Sequence, residues 1–399
     1  MAEYFGCTEQ NLRLGGHETY WRDLFPFLES HGYTLRPRYH PDWKPVWPPP
    51  PDITVAQTED WMGLPLYRSR MIDATRISDG KLVILKAVSE TSTELDICRY
   101  FSSETVRDDP RNRCIPLLEA LSHPSDPDTC IMVMPYLRNV DQPPFDTVED
   151  ILECGEQILD GLLFMHEHNV AHRDCAYRNV MMDVTAMYPS GYHPLHWRML
   201  PDTVTPAPTL PRSSVSVTYY LIDFGISTRF SPDESSKLVV GVKGLESTVP
   251  ELSDTVPYDP FKTDIYILGA LFRQEFLSKF SNVEMIAPLV ASMTAKDPAT
   301  RPDAAAALEA WRLLRRQTPT RHRRWRAKGR DESLLGSVFR DALLLWCRGG
   351  LDHHAVCQAT AQLPRRSASR GPSALQHALE TASKSHDIRA IHTVWSGAA

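Results

Sequence analysis

Four polar residues stand in an order and spacing that could serve the transfer of a phosphoryl group. Lys86 ends one apolar run, and Asp223 follows another at the start of a turn. Asp174 and Asn179 are five residues apart and follow a predicted helix. A carboxylate can accept the proton of a hydroxyl, carboxylate and amide oxygens bind Mg²⁺, and a lysine can hold nucleotide phosphates. The set therefore predicts phosphoryl-transfer chemistry.

Further landmarks follow downstream in a fixed order. Residues 249–251 read Val-Pro-Glu, Asp264 lies in a predicted helix, and Arg301 precedes the last predicted helix. Together with His-Arg-Asp at 172–174 and Asp-Phe-Gly at 223–225, they make the chain resemble the protein kinase superfamily. The resemblance implies a buried ion pair between Glu251 and Arg301.

The resemblance covers about residues 60–316. It implies an α+β, bilobal protein-kinase-like fold, with a small β-rich N-lobe at 60–137 and a larger α-helical C-lobe at 138–316. The succession of strands first and helices later agrees with this fold class. The chain is most similar to a group of fungal kinase-like proteins, and the shared phrases lie at 21–23, 35–39, 73–80, 188–189, 258–261 and 263–266.

The resemblance implies that the cofactors are ATP and Mg²⁺, and it assigns catalytic roles. Asp174 would accept or orient the proton of the substrate hydroxyl, and Arg178 would assist the transferring phosphate. Asn179 and Asp223 would hold Mg²⁺ on the phosphates of ATP.

The resemblance also assigns nucleotide contacts. Lys86 would contact the α- and β-phosphates, and Glu94 would pair with Lys86. Met134 would border the adenine pocket, with the backbone around Tyr136 and Leu137 binding the base.

The nucleotide-binding part departs from the kinase pattern. Residues 66–71 should form the turn over the phosphates, and they contain no glycine. Glycine normally lets backbone N–H groups approach phosphates closely. We hypothesise that Arg68 or Arg70 substitutes as a point charge. Ile84 stands where an alanine normally lines the adenine pocket, and its bulk would crowd the base unless the pocket repacks.

Two spacings are also unusual for a kinase. Lys86 and Glu94 are only eight residues apart, so Glu90 and Glu104 remain alternative partners of the lysine. Little chain separates the helix of Asp264 from the next helix. This predicts that the usual substrate-docking helix is reduced or absent.

Hydrophobic periodicity and turn residues predict the elements that position these groups. A hairpin turn is expected at 78–80, and Thr147 with Asp150 forms an acidic capping box. A proline-rich stiff spacer at 40–51 and a proline-rich surface loop at 188–211 are expected. Strands are predicted at 71–77, 82–88, 130–134 and 215–222, and helices at 18–30, from Thr147, and at 263–277, 283–295 and 303–316.

The ends of the chain receive no functional assignment. Residues 1–59 form an N-terminal extension, and the basic and polar tail at 317–399 is expected to be poorly ordered.

Composition narrows the class of protein. Hydrophobic content of 42% and charged content of 23% are ordinary for a globular chain, and a net charge of -7 gives no case for nucleic-acid binding. No apolar run is long enough for a membrane helix, and no secretory signal opens the chain. The eight cysteines form no CxxC pair, which favours reduced thiols and a cytoplasmic or nuclear location.

Three functions agree with these features. The first is an ATP-dependent protein kinase that phosphorylates a Ser, Thr or Tyr hydroxyl of a protein substrate. The second is a catalytically weak or inactive pseudokinase that serves as an interaction scaffold, which the absent glycines favour. The third is a small-molecule kinase, against which the landmarks at 249–251, Asp264 and Arg301 argue.

Overall fold

An antiparallel sheet of five strands dominates the first part of the chain. The computed structural model describes residues 13–46, 54, 57–64, 69–333, 336–338 and 340–341. The strands are β1 (Tyr33–Leu35), β2 (Met71–Arg76), β3 (Leu82–Ser89), β4 (Glu119–Ser122) and β5 (Thr129–Pro135). They are hydrogen-bonded in the order β1-β2-β3-β5-β4. The strands predicted at 71–77, 82–88 and 130–134 are confirmed.

The hairpin between β2 and β3 turns at 78–80, as the sequence predicts. Gly80 has a φ of 70°, a left-handed conformation that glycine adopts without steric cost. The register of the hairpin places Asp73 opposite Ile84. The register therefore determines which residues of β2 lie opposite those of β3, the strand that carries Lys86.

Two short helices stand where the sequence predicts one helix over 18–30. They are α1 (Gly16–Asp23) and α2 (Phe25–Ser30). The break falls at Leu24, because Pro26 in the first turn of α2 has no N–H with which to continue the hydrogen bonds of α1.

The N-terminal extension packs as part of the sheet. Trp21 and Leu28 from the two helices are fully buried in one cluster with Ile72 and Leu85 of the sheet, and β1 pairs with β2. The boundary expected between residues 59 and 60 therefore does not separate two packing units. The prolines at 48–51 lie outside the described residues.

Further helices make up most of the remaining described chain. Thr147 and Asp150 form the predicted capping box, since each side chain accepts a hydrogen bond from the other residue's backbone N–H, at 3.2 and 2.8 Å. The helices are α3 (Thr93–Phe101), α4 (Val148–Glu167), α5 (Pro260–Phe272), α6 (Ala287–Met293), α7 (Ala304–Gln317) and α8 (Thr320–Arg323). A π-helical turn, Arg273–Leu277, extends α5, and the predicted helices at 263–277, 283–295 and 303–316 are confirmed in position.

Short paired strands hold the loops between these helices. These strands are β6 (Arg138–Asn139), β7 (Val170–Ala171), β8 (Val180–Asp183), β9 (Thr218–Leu221), β10 (Thr228–Arg229), β11 (Val239–Gly241) and β12 (Ser253–Tyr258). β7 ends directly before His172, and β9 ends two residues before Asp223. They form one three-stranded sheet, β6-β8-β9, and the pairs β7–β10 and β11–β12.

The proline-rich segment 188–211, called the insert below, contains no helix or regular strand, as predicted for a loop. It does not lie wholly on the surface, however. Tyr188, Tyr192 and His193 are each less than a tenth exposed. Their aromatic rings and a buried imidazole give this loop a packed interior that its prolines alone did not indicate.

The first part of the tail is also packed. Arg326 is buried and donates hydrogen bonds to Glu332 at 2.8 Å and to Asp341 at 2.5 Å. The backbone N–H of Val148, at the start of α4, bonds to the carbonyl of Trp325 at 3.0 Å. The expectation of poor order thus fails for this stretch, and residues 342–399 lie outside the described part. Among the described helices, none combines the length and apolar character needed to cross a bilayer.

Candidate active site

The loop at 172–179 is held in place by the carboxylate of Asp264, which lies on helix α5. Asp264 of α5 is fully buried, and its oxygens accept the backbone N–H groups of His172 at 2.8 Å and Arg173 at 2.6 Å. The His166 imidazole lies 2.9 Å from the same carboxylate. These bonds satisfy the buried charge and stabilise the left-handed conformation of Arg173, whose φ is 67°.

Asp174 and Asn179 are in direct contact. The Asn179 amide nitrogen donates to the Asp174 carboxylate at 2.8 Å and to the Asp174 carbonyl at 2.9 Å. The Asn179 amide oxygen accepts no hydrogen bond from the described residues. This leaves an oxygen ligand available on a side chain that is only 5% exposed.

Asp223 lies beside this pair. The backbone N–H of Ile222 bonds to the Asn179 carbonyl at 3.0 Å, where β8 and β9 run together. Asp223 itself adopts a left-handed φ of 63°, and the next residue, Phe224, is fully buried. The Phe224 ring packs between those of Phe101, at 6.3 Å, and His172, at 5.4 Å. The buried ring anchors the turn that presents the Asp223 carboxylate.

Lys86 joins three elements through its ammonium group. It donates to Glu94 of α3 at 2.6 Å and to Asp223 at 3.1 Å. Burial disfavours the charged ammonium, but the two carboxylates more than offset it and raise the pKa of Lys86. Of the alternative partners, Glu90 pairs with Arg99 at 2.7 Å and Glu104 makes no ion pair with the lysine.

The residues expected around adenine lie near one end of the paired strands β3 and β5. Met134 is the cross-strand partner of Ile84, and both pack in the same apolar cluster. Tyr136 donates its backbone N–H to the Leu82 carbonyl at 3.3 Å. Leu137 follows as a buried residue. The structure thus brings Met134 and Ile84 together. They lie next to residues 136–138, the connection that leaves the sheet.

Of the arginines predicted to contact phosphate, Arg178 and Arg70 make no hydrogen bond or ion pair with this cluster. Arg178 is exposed and makes no hydrogen bond or ion pair with any described residue. Arg70 is exposed too, and Arg68 lies outside the described residues. The glycine-free turn is fixed at its C-terminal end, where the Trp21 indole donates to the Ser69 carbonyl at 3.1 Å.

One contact at the site was not predicted from the sequence. The backbone N–H of Leu245 donates to the Asp174 carboxylate at 2.7 Å. Gly244, with a φ of 143°, packs so closely that a Cβ there would lie 3.4 Å from the same oxygen. Arg173 holds the preceding strand by donating to the Val240 carbonyl at 3.0 Å. Two glycines in the run 241–244 were the only sequence sign of a close backbone approach.

No family model matches the chain, and no curated protein matches it. Within the described ranges, no group of three or more histidines, cysteines, aspartates and glutamates is placed to hold a metal ion. The predicted Mg²⁺ ligands are a different set, one carboxylate and one amide oxygen.

The lysine pair can be tested by its effect on stability. Lys86→Met leaves the Glu94 carboxylate buried with one partner fewer, so we expect it to lower the free energy of unfolding by about 2–4 kcal/mol. In the double variant Lys86→Met, Glu94→Leu no such charge remains, and we expect most of the loss to be recovered. Urea unfolding of the two variants and the wild type measures both effects. Equal stability of the single and double variants would contradict the coupling.

Proposed function

We propose that the chain is an ATP- and Mg²⁺-dependent protein kinase that transfers the γ-phosphate to a hydroxyl of a protein substrate. The observation that carries the proposal is the Lys86 ammonium, which binds Glu94 at 2.6 Å and Asp223 at 3.1 Å. Asp223 in turn adjoins Asn179 and Asp174. A cation and two carboxylates therefore lie near one another, and in this proposal they serve as the phosphate contact, a metal ligand and the base.

The arrangement of the chain supports a bilobal kinase fold within this proposal. An antiparallel sheet carries Lys86, and a mainly helical part carries Asp174, with residues 136–138 connecting them. Glu251 and Arg301 form a two-bonded ion pair at 2.5 and 2.8 Å, as the resemblance implies. No α-helix lies between α5 and α6 in the described residues 273–286, which agrees with a reduced substrate-docking region.

The residues fit Mg²⁺ and nucleotide phosphates. The Asn179 amide oxygen and one Asp223 carboxylate oxygen accept no hydrogen bond from the described residues, and Asp223 is 47% exposed. Two protein oxygens with phosphates and waters are a usual Mg²⁺ environment. Asn179 and Asp223 would hold the metal, and Lys86 would bind the phosphates. Bound MgATP supplies the activated phosphoryl group.

Asp174 would orient the substrate hydroxyl and receive its proton. Burial raises the pKa of Asp174, while the hydrogen bonds from Leu245 and Asn179 lower it in part. Arg178, exposed and free of partners among the described residues, would bind the transferring phosphate. Met134 and the backbone at Tyr136 and Leu137 would border adenine, with Ile84 narrowing the pocket.

A scaffold that has lost most of its catalytic activity is the second candidate. The segment at Gly244 and Leu245 lies directly on the Asp174 carboxylate, where a substrate hydroxyl would have to approach. The glycine-free turn also offers fewer close backbone donors to phosphates. A small-molecule kinase remains the lesser candidate.

We also propose a cytoplasmic or nuclear location and a protein partner that is the substrate, with neither nucleic acid nor a membrane as partner. Within the part of the chain that the structure describes, the cysteines are free and buried, in agreement with a reducing compartment. They are Cys98, Cys114, Cys130, Cys154 and Cys175.

Transfer of radiolabel from γ-labelled ATP to generic protein substrates tests the proposal. We expect the wild-type chain to label protein, and Asp174→Asn and Asp223→Asn each to lower the rate at least about 100-fold, since each removes a base or a metal ligand. Thermal unfolding of each variant serves as the control for folding. Labelling that persists in both variants would rule out this chemistry. Nucleotide binding by the wild type without any transfer would favour the scaffold.

The pH dependence of kcat/KM tests the role of Asp174 as base. Leu245→Pro removes the N–H that donates to Asp174, so the pKa of Asp174 rises further and the acidic limb of the profile moves to higher pH. Leu245→Ala retains the N–H, and we expect its limb to coincide with that of the wild type. Identical limbs in the two variants would mean that another group controls the acidic side.

A further inference from the structure

The insert at 188–211 makes polar contacts with two other parts of the chain. His193 lies 2.8 Å from the Glu59 carboxylate through its Nε2 atom. One residue on, the Pro194 carbonyl accepts the Tyr136 hydroxyl at 2.6 Å and the Arg138 guanidinium at 3.1 Å. Neighbouring residues of one loop therefore hold both the N-terminal extension and the connection that leaves the sheet.

The imidazole of His193 is assigned as a neutral donor. Its Nδ1 atom accepts the backbone N–H groups of Leu195 at 3.3 Å and His196 at 3.1 Å. The ring proton therefore lies on Nε2, which donates to Glu59. With only 2% of the residue exposed, His193 contacts protein rather than solvent or a substrate.

Glu59 is connected to the sheet through Arg36. Its second carboxylate oxygen accepts from the Arg36 guanidinium at 2.5 Å. Arg36 also donates to Asp73 of β2 at 2.7 Å, and both side chains are at least nine-tenths buried. Because unpaired charges in such surroundings are costly, this chain of contacts resists separation. Asp73 stands opposite Ile84 in the register of the sheet.

Two further contacts hold the insert, one close to Glu59 and one close to Pro194. The Thr203 hydroxyl donates to the Gln57 carbonyl, two residues before Glu59. The Arg138 guanidinium lies 5.6 Å from the centre of the Trp197 ring, a cation–π contact beside the Pro194 bond. A continuous series of contacts thus runs from β2 through Arg36, Glu59 and the insert to residues 136–138.

We propose that His193 is a positioning residue that fixes the end of β3 and β5 at which the nucleotide would bind. It does so by tying Glu59, and through it β2, to the loop that holds Tyr136 and Arg138. This inference rests on the proposed function, because Ile84 and the backbone at 136–137 matter as adenine contacts only if ATP binds there. His193 touches no reacting group and acts through its neighbours.

Two measurements on four variants test the proposal. His193→Ala removes the donor to Glu59, whereas His193→Gln retains an N–H at nearly the same reach. Glu59→Gln removes the charge from the other side of the contact. His196→Ala is the matched control, because the hydrogen bonds that His196 makes with described residues come from its backbone, which the substitution keeps. The measurements are hydrogen–deuterium exchange without nucleotide and steady-state kinetics in ATP.

We expect faster exchange at residues 134–140 in His193→Ala and Glu59→Gln, and wild-type exchange in His196→Ala. We expect His193→Ala to raise the KM for ATP about five- to tenfold, a change of the size of one ordinary hydrogen bond, with kcat within about twofold. His193→Gln should recover most of the affinity. A role in general stability alone would not produce this separation of KM from kcat.

Unchanged exchange at 134–140 in both His193→Ala and Glu59→Gln would overturn the proposal. So would equal losses in His193→Ala and His193→Gln, or a fall in kcat with no change in KM. If the wild-type chain binds no ATP, the proposed function fails, and the exchange experiment still decides whether His193 restrains the connection. If His193→Ala does not fold, Glu59→Gln gives the same comparison.

Discussion

The ion pair of Lys86 with Glu94 and Asp223 is the interaction on which the rest of the site depends. The lysine side chain is 17% exposed and that of Glu94 only 9%, so the Glu94 carboxylate depends on Lys86 as its charged partner, while Lys86 has both Glu94 and Asp223. To form the contact, β3, α3 and the turn after β9 must meet within hydrogen-bond distance. The sheet register, the Ser92 cap of α3 and the buried ring of Phe224 each contribute to that meeting.

A second buried carboxylate plays the same part for the loop that carries Asp174. Asp264 binds two successive backbone N–H groups and thereby offsets the cost of a left-handed Arg173, which is on the order of 1–2 kcal/mol. Asp223 carries a similar left-handed conformation. Arg173 and Asp223 are two of the four described non-glycine residues with a left-handed φ, together with Asn169 and Thr203. Such conformations persist only where the surrounding contacts hold them, as the bonds to Asp264 do for Arg173.

Much of this could be predicted from local sequence. The hairpin at 78–80, the capping box at Thr147 and the helix of Asp264 follow from turn, cap and periodicity rules that involve neighbouring residues. The proximity of Lys86 and Glu94 was foreseen from a resemblance, with Glu90 and Glu104 left open. The structure distinguishes them because α3 turns Glu94 inward, which spacing could not show.

Contacts between distant segments could not be predicted in this way. The Leu245 N–H on Asp174 spans 71 residues, and the His193 contact with Glu59 spans 134. Arg36 and Asp73 are 37 residues apart, and no local pattern indicated that they are buried together. A proline-rich segment likewise suggested exposure, whereas the insert buries Tyr188 and Tyr192. Burial of polar groups depends on tertiary packing, which a single sequence does not encode in any local pattern.

The proposed function requires first that ATP bind through Mg²⁺ beside Lys86. The most direct measurement is the dissociation constant of ATP for the wild-type chain, determined by isothermal titration calorimetry with Mg²⁺ and again with the metal chelated. The proposed function predicts saturable one-to-one binding that weakens at least about tenfold when Mg²⁺ is removed, since Asn179 and Asp223 would offer oxygen ligands to the metal and not to the phosphates. No binding in either condition, or the same affinity in both, would contradict the account.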